Sequence, residues 1–418
     1  MSGKLVSGPY SVRLLSKGTK KYMLVGDLHT QMSHGMCSKD IPLFPEYLDS
    51  LFKKYPKKQW DLFIEQGTNI NYIHFLSELN QEIPSELNYD PDKMSMLAIT
   101  KNYFKARGCF TRTKSRSKCF FPNVRFHYID IRQRKFGKSC FLSKSMEFES
   151  DIDPLGGTIL TNTIFQLKNK TRESIEDVID KYLTNLRETI KCFIEIKLVK
   201  QLEKSSLKNE LTDFFREVRD LYLEILNYVD FCLTQFKNEL IETILRIQKK
   251  TDITYKLIYV IVNDFFEDKN KTAYLSFQER INRNIYIKAS LDLPPDREVA
   301  IALPDFLAQT HVVLMDTYAL SRMTKSYARN NIILAGQGHI NVYATFLIKN
   351  GFKTEWTSEQ KSLKCAKIFE YEEGFLSQTL RKTLQYFAMF SASKTRTLKK
   401  PIKSNSQHLS KKKSSSKT

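Results

Sequence analysis

The chain has 418 residues, 41% of them hydrophobic and 12% aromatic, and this supplies a real core. At about 100–200 residues per domain the length allows two or three domains. Nine of the +20 net charges fall from Lys394 onward, where lysine and arginine occur without any acid, and the body is moderately basic. The longest apolar runs, such as Leu257–Val262, fall far short of the roughly 20 residues that span a bilayer, so no membrane-spanning helix is expected.

The seven cysteines are odd in number and form no C-x-x-C pair. This pattern favours free thiols in a reducing compartment over a disulfide framework. The opening MSGKLVSGPYSVRLL has no continuous apolar centre, so no signal peptide is expected. The expected setting is a soluble protein of the cytoplasm or nucleus.

In chain order, Tyr10–Leu15 reads as a short leading strand. Tyr22-Met23-Leu24-Val25 is a short run apolar on both faces, the mark of a buried parallel strand. It stops at Gly26-Asp27-Leu28-His29. Phe44, Tyr47, Leu48, Leu51 and Phe52 recur at helical spacing, predicting a helix over 44–55. Trp60–Ile64 is the next strand, ending at Glu65. A helix is expected over 93–106, then a basic loop, RGCFTRTKSRSK, then a third strand at VRFHYIDI.

No proline occurs between Pro154 and Pro294. This span shows helical spacing from a capping box at Ser174-x-x-Asp177 onward and predicts a helical insertion. Helical spacing resumes over 304–327, with Asp316 and Arg322 on that helix. The strand Asn331–Ala335 follows, and it stops at Gly336-Gln337-Gly338-His339. A helix over 340–350 closed by Gly351, a short strand at 352–354 and a helix over 374–391 complete the body. The Lys/Ser tail cannot bury enough apolar surface to fold. Its chemistry suits weak attraction to polyanions such as nucleic acid.

The expected fold is therefore α/β: a central, mostly parallel sheet with flanking helices, interrupted by a long helical insertion. The parts are 1–153 and 300–393 for the core, 154–299 for the insertion or lid, and 394–418 for the basic tail. In such a sheet all parallel strands present their carboxyl ends on one edge, and that edge is where ligands bind. Gly26, Asp27, Gly336 and Gly338 line that edge.

The two G-x-x-H units at strand ends, a strand-end Glu and a helix Arg together resemble the TraB/Tiki superfamily. That superfamily takes in erythromycin-esterase-like and haem-binding ChaN-like proteins. The resemblance covers about the first 130 residues and 300–356. It implies a hydrolase site of peptidase or esterase type built from His29, Glu65, Arg322 and His339. His29, Glu65 and His339 are then candidate ligands for a divalent metal such as Mn, Co or Zn, or a metal-free His–Glu pair. Arg322 would steady a carboxylate or developing oxyanion. GDLHTQ also resembles the first box of calcineurin-like metallophosphoesterases, but no GD-x-x-D and no GNH follow. A binding or regulatory protein that keeps the fold without catalysis is the remaining alternative.

Overall fold

The computed structural model describes residues 3–28, 41–65, 95–109, 119–130, 135–136, 140–141, 171–195, 205–249, 255–294, 310–359 and 365–369, with isolated positions at 202, 296–298, 303 and 306. His29, the expected helix over 374–391 and the basic tail lie outside the described residues.

The strands are β1 (Gly3–Ser7), β2 (Ser11–Lys17), β3 (Lys20–Asp27), β4 (Trp60–Ile64), β5 (Val124–Tyr128), the two-residue pair β6 (Lys135–Phe136) and β7 (Cys140–Phe141), β8 (Asn330–Gly336), β9 (Lys353–Glu359) and β10 (Cys365–Phe369). The main sheet has six strands in the order β5-β4-β8-β3-β2-β9. Its four neighbours β5, β4, β8 and β3 are parallel, whereas β2 runs antiparallel to both β3 and β9. The α/β architecture read from the sequence is the one observed.

The inner parallel strands β3 and β8 carry apolar runs because both of their faces are covered. Tyr22, Met23, Leu24 and Val25 of β3 and Ile332, Ile333, Leu334 and Ala335 of β8 have no exposed surface at all. Each such Leu, Ile or Val contributes about 1.5–3 kcal/mol by burial. The leading segment is longer than the sequence indicates. β2 pairs with β3 through the tight turn at Gly18, whose φ of +58° suits a residue without Cβ.

The helices are α1 (Phe44–Lys54), α2 (Met96–Ala106), α3 (Arg172–Glu195), α4 (Lys208–Gln248), α5 (Tyr255–Lys269), α6 (Lys271–Arg283), α7 (Ile285–Ser290), α8 (Thr310–Met323) and α9 (Gln337–Lys349). One sheet face is closed by an aromatic cluster in which Phe52 of α1 meets Trp60, Phe104 and Phe121. The opposite face, through Tyr22, Leu24, Phe63, Ile333 and Ala335, shares one continuous core with α3–α9. All the described elements between 171 and 290 are helices, and α4 is kinked at Phe236. The first of these helices starts earlier than the Ser174 cap expected, with the Thr171 hydroxyl receiving the Ser174 N–H.

Two sequence expectations change. Cys109 and Cys119 are bonded to one another rather than free. α2 ends at Ala106, Gly108 turns at φ +71°, and the Phe120 N–H returns to the Arg107 carbonyl. That closure brings the two cysteines together across the basic loop. The helix after β8 begins at Gln337, not Ile340, so the G-x-x-H unit is itself the strand-to-helix junction. Among the described residues no helix is long and apolar enough to cross a membrane.

Candidate functional site

Topology decides what meets at the sheet's carboxyl edge. β8 lies between β4 and β3, so the residues after β4 and β8 are neighbours, and Asp27 pairs in register with Gly336. Glu65 follows β4 and turns its carboxylate to the adjacent strand end. Its Oε2 accepts the Gly336 N–H at 2.6 Å. Gly336 caps α9, so Glu65 takes up one of the amide groups that a helix N-terminus leaves unbonded.

His339 sits in the first turn of α9, between two acids. Its Nε2 faces Glu65 Oε1 at 3.3 Å and its Nδ1 lies 2.6 Å from Asp316 Oδ1. The three are nearly closed to solvent: Glu65 is 4% exposed, Asp316 1% and His339 9%. Burial opposes charge on the imidazole, but the carboxylates of Glu65 and Asp316 outweigh it and hold His339 up at about 10. A doubly protonated ring satisfies both acids at once. Burial raises the Asp316 carboxyl, with the imidazolium pulling it the other way. The proton between two groups this close belongs to the pair.

The glycines of the two motifs are required by close approach. A Cβ on Gly26 would lie 1.9 Å from Gln337 Oε1 and 2.6 Å from Ser11 Oγ. A Cβ on Gly338 would lie 2.6 Å from the Ser290 carbonyl at the end of α7. The side chain filling the notch over Gly26 is fixed by a directional chain. The Ser11 hydroxyl donates to Gln337 Oε1 (2.6 Å), Gln337 Nε2 donates to Asn341 Oδ1 (2.9 Å), and Asn341 Nδ2 donates to Asp292 Oδ1 (2.7 Å). Asp27, 1% exposed, closes the edge on the β3 side.

Arg322 is not brought to this cluster. α8 runs antiparallel to the strand it feeds, so its last turn lies toward the strands' amino ends. The residue it aims at His339 is Asp316, six positions earlier. Arg322 instead donates to His127 Nδ1 at 3.3 Å. An arginine has no acceptor, so that nitrogen carries a lone pair and the proton sits on Nε2, which donates to Asp61 Oδ1 at 2.8 Å. Burial is the main cause that lowers the His127 pKa; Asp61 opposes it, and Arg322 and Arg125 reinforce it. Arg125 grips the same Asp61 through Nε (2.6 Å) and Nη2, and the His127 ring stacks on Phe63. This second polar network is a structural brace on the β4–β5 face.

Neither family models, curated proteins nor solved structures give a match to this chain.

Of the expected metal ligands, Glu65 and His339 face each other, and His29 lies outside the described residues. Among the described residues no group of three or more His, Cys, Asp or Glu side chains is placed to hold a metal ion. Both ring nitrogens of His339 are also turned to carboxylates. The described donors fall short of a metal site. What the cluster can do chemically is move and hold protons: a carboxylate oriented by a backbone amide stands beside an imidazolium fixed by a second carboxylate.

Sequence reasoning placed Asp316 on its helix without a role, and it did not single out Tyr343. Tyr343 lies four residues after His339, and that spacing puts both on one helix face.

Proposed function

We propose that this chain is a hydrolase of the peptidase or esterase type, as its resemblance to the TraB/Tiki superfamily implies. The observation that carries the reading is the Glu65–His339–Asp316 array at the carboxyl edge, where neighbouring strand ends bring an acid and an imidazole from distant parts of the chain together. In this reading Glu65 takes a proton from the attacking water. The His339 imidazolium places positive charge beside the oxygen on which negative charge develops. Asp316 orients His339, and Gly26, Asp27, Gly336 and Gly338 shape the edge. His29 belongs to the same site in this proposal. A divalent ion held by His29, Glu65 and His339 is its metal-dependent form, which metal analysis of the purified protein tests.

The test is a panel of simple esters and short peptides assayed with the wild type and with Glu65→Gln and His339→Gln. Hydrolysis by the wild type that both variants lose supports the reading. Equal rates in all three chains refute it.

A second reading is favoured by the burial of the triad: a closed ion-pair cluster that holds the strand ends of a binding or regulatory protein. On that reading the variants lose stability and no wild-type activity exists to lose.

A further inference from the structure

Tyr343 lies one turn beyond His339 on α9, its ring against the imidazole at 6.2 Å between centroids and 24° between planes. The residue is completely buried, yet its hydroxyl has no hydrogen-bond partner among the described residues. Asp316 stands close enough to the hydroxyl to raise its pKa by charge and by hydrogen-bonding approach, though outside the geometry of a formed bond, and Glu65 adds its charge. Burial and these carboxylates keep the phenol protonated well above its ordinary range, so it remains a donor. A buried hydroxyl without a partner is destabilising, and folded proteins leave few of them. This one belongs to the helix face that carries His339, beside the Glu65–His339–Asp316 cluster.

We propose that the Tyr343 hydroxyl is a reserved donor for the carbonyl oxygen of an ester or amide substrate. This rests on the hydrolytic reading above. Water adds to the carbonyl carbon, its proton passes to Glu65, and the carbonyl electron pair moves onto oxygen. Tyr343 hydrogen-bonds that oxyanion without giving up its proton. Collapse re-forms the carbonyl and breaks the bond to the leaving alkoxide or amine, which receives the proton from Glu65. The site is otherwise rich in carboxylates, which would repel an oxyanion. A neutral donor beside the His339 ring would add to the stabilisation that the imidazolium supplies.

The experiment compares the wild type, Tyr343→Phe and Glu65→Gln in thermal melts and in the hydrolysis of p-nitrophenyl acetate. A reserved hydroxyl predicts that Tyr343→Phe melts at or above the wild-type temperature, because no bond is removed. It also predicts a fall in kcat of about 10²–10³-fold with KM little changed, the usual effect of losing one oxyanion donor. A lower melting temperature for Tyr343→Phe means that the hydroxyl is held by Asp316, and overturns the proposal. Wild-type kcat in Tyr343→Phe, with Glu65→Gln inactive, overturns the proposal while leaving the hydrolytic reading intact. Wild type and Glu65→Gln at one background rate overturn both.

Discussion

The charged state of His339 gives the structure a measurable dependence on pH. Its pKa rises from an ordinary 6.5 to about 10 because Glu65 and Asp316 flank it. A raised pKa in the folded state contributes stability that is fully present below the unfolded value, and that stability is lost as pH climbs through the folded one. The window is therefore 6.5 to about 10. A shift of about 3.5 units at 1.36 kcal/mol per unit sets a ceiling of about 5 kcal/mol. About 3 kcal/mol of it should go between pH 6.5 and about pH 9, before most tyrosines and lysines of the unfolded chain titrate. The assay is urea unfolding at stepped pH in the presence of a chelator, with His339→Gln as the reference. The wild-type stability should fall relative to the variant across this window. Parallel curves would refute the ion-pair triad and return His339 to the neutral state.

Asp316→Asn removes the acid at His339 Nδ1 and should return the imidazole toward its ordinary pKa. The histidine ring resonances followed by NMR against pH will report it, and an unchanged titration would count against the pairing. Gly338→Ala places a methyl 2.6 Å from the Ser290 carbonyl, which is backbone and cannot swing aside; a loss of about 1–3 kcal/mol is expected in a denaturant melt. Arg322→Gln should lower stability through the His127–Asp61 brace while leaving hydrolysis by the carboxyl-edge site unchanged; loss of activity at wild-type stability would put Arg322 back at the site. Cys109 and Cys119, ten residues apart, should appear as one linked peptide in a non-reducing digest, and Cys109→Ser should cost about 3 kcal/mol in the same melt.

The centre of the sheet was legible because interior parallel strands leave a simple trace. Tyr22–Val25 and Ile332–Ala335 are apolar on both faces, Trp60–Ile64 is so apart from Asp61, and each stops at a glycine or an acid. What was not legible was adjacency. That β8 slots between β3 and β4 depends on pairings between residues about 270 to 310 positions apart, as Gly336 with Glu65 and Asn331 with Lys21 illustrate, and local pattern carries no such information. Arg322 and Asp316 lie on one helix, and only the direction in which that helix crosses the sheet decides which of them reaches His339. The Cys109–Cys119 bond was hidden because spacing does not fix connectivity. Its closure depends on the turn at Gly108.

The position of β8 also sets an order on how the chain can assemble. A ribosome releases β3 and β4 early, with the slot between them empty. Until residue 336 has emerged, Tyr22–Val25 and Leu62–Ile64 each present an unpaired apolar edge, a template for pairing with another chain. The helices between 171 and 290 are made during that interval and rely on local contacts, which form quickly. A nascent chain arrested before Asn330 should therefore carry folded helices beside an incomplete, aggregation-prone sheet. Release of the β8–α9 segment would close the sheet and create the Glu65–His339 contact in a single late step.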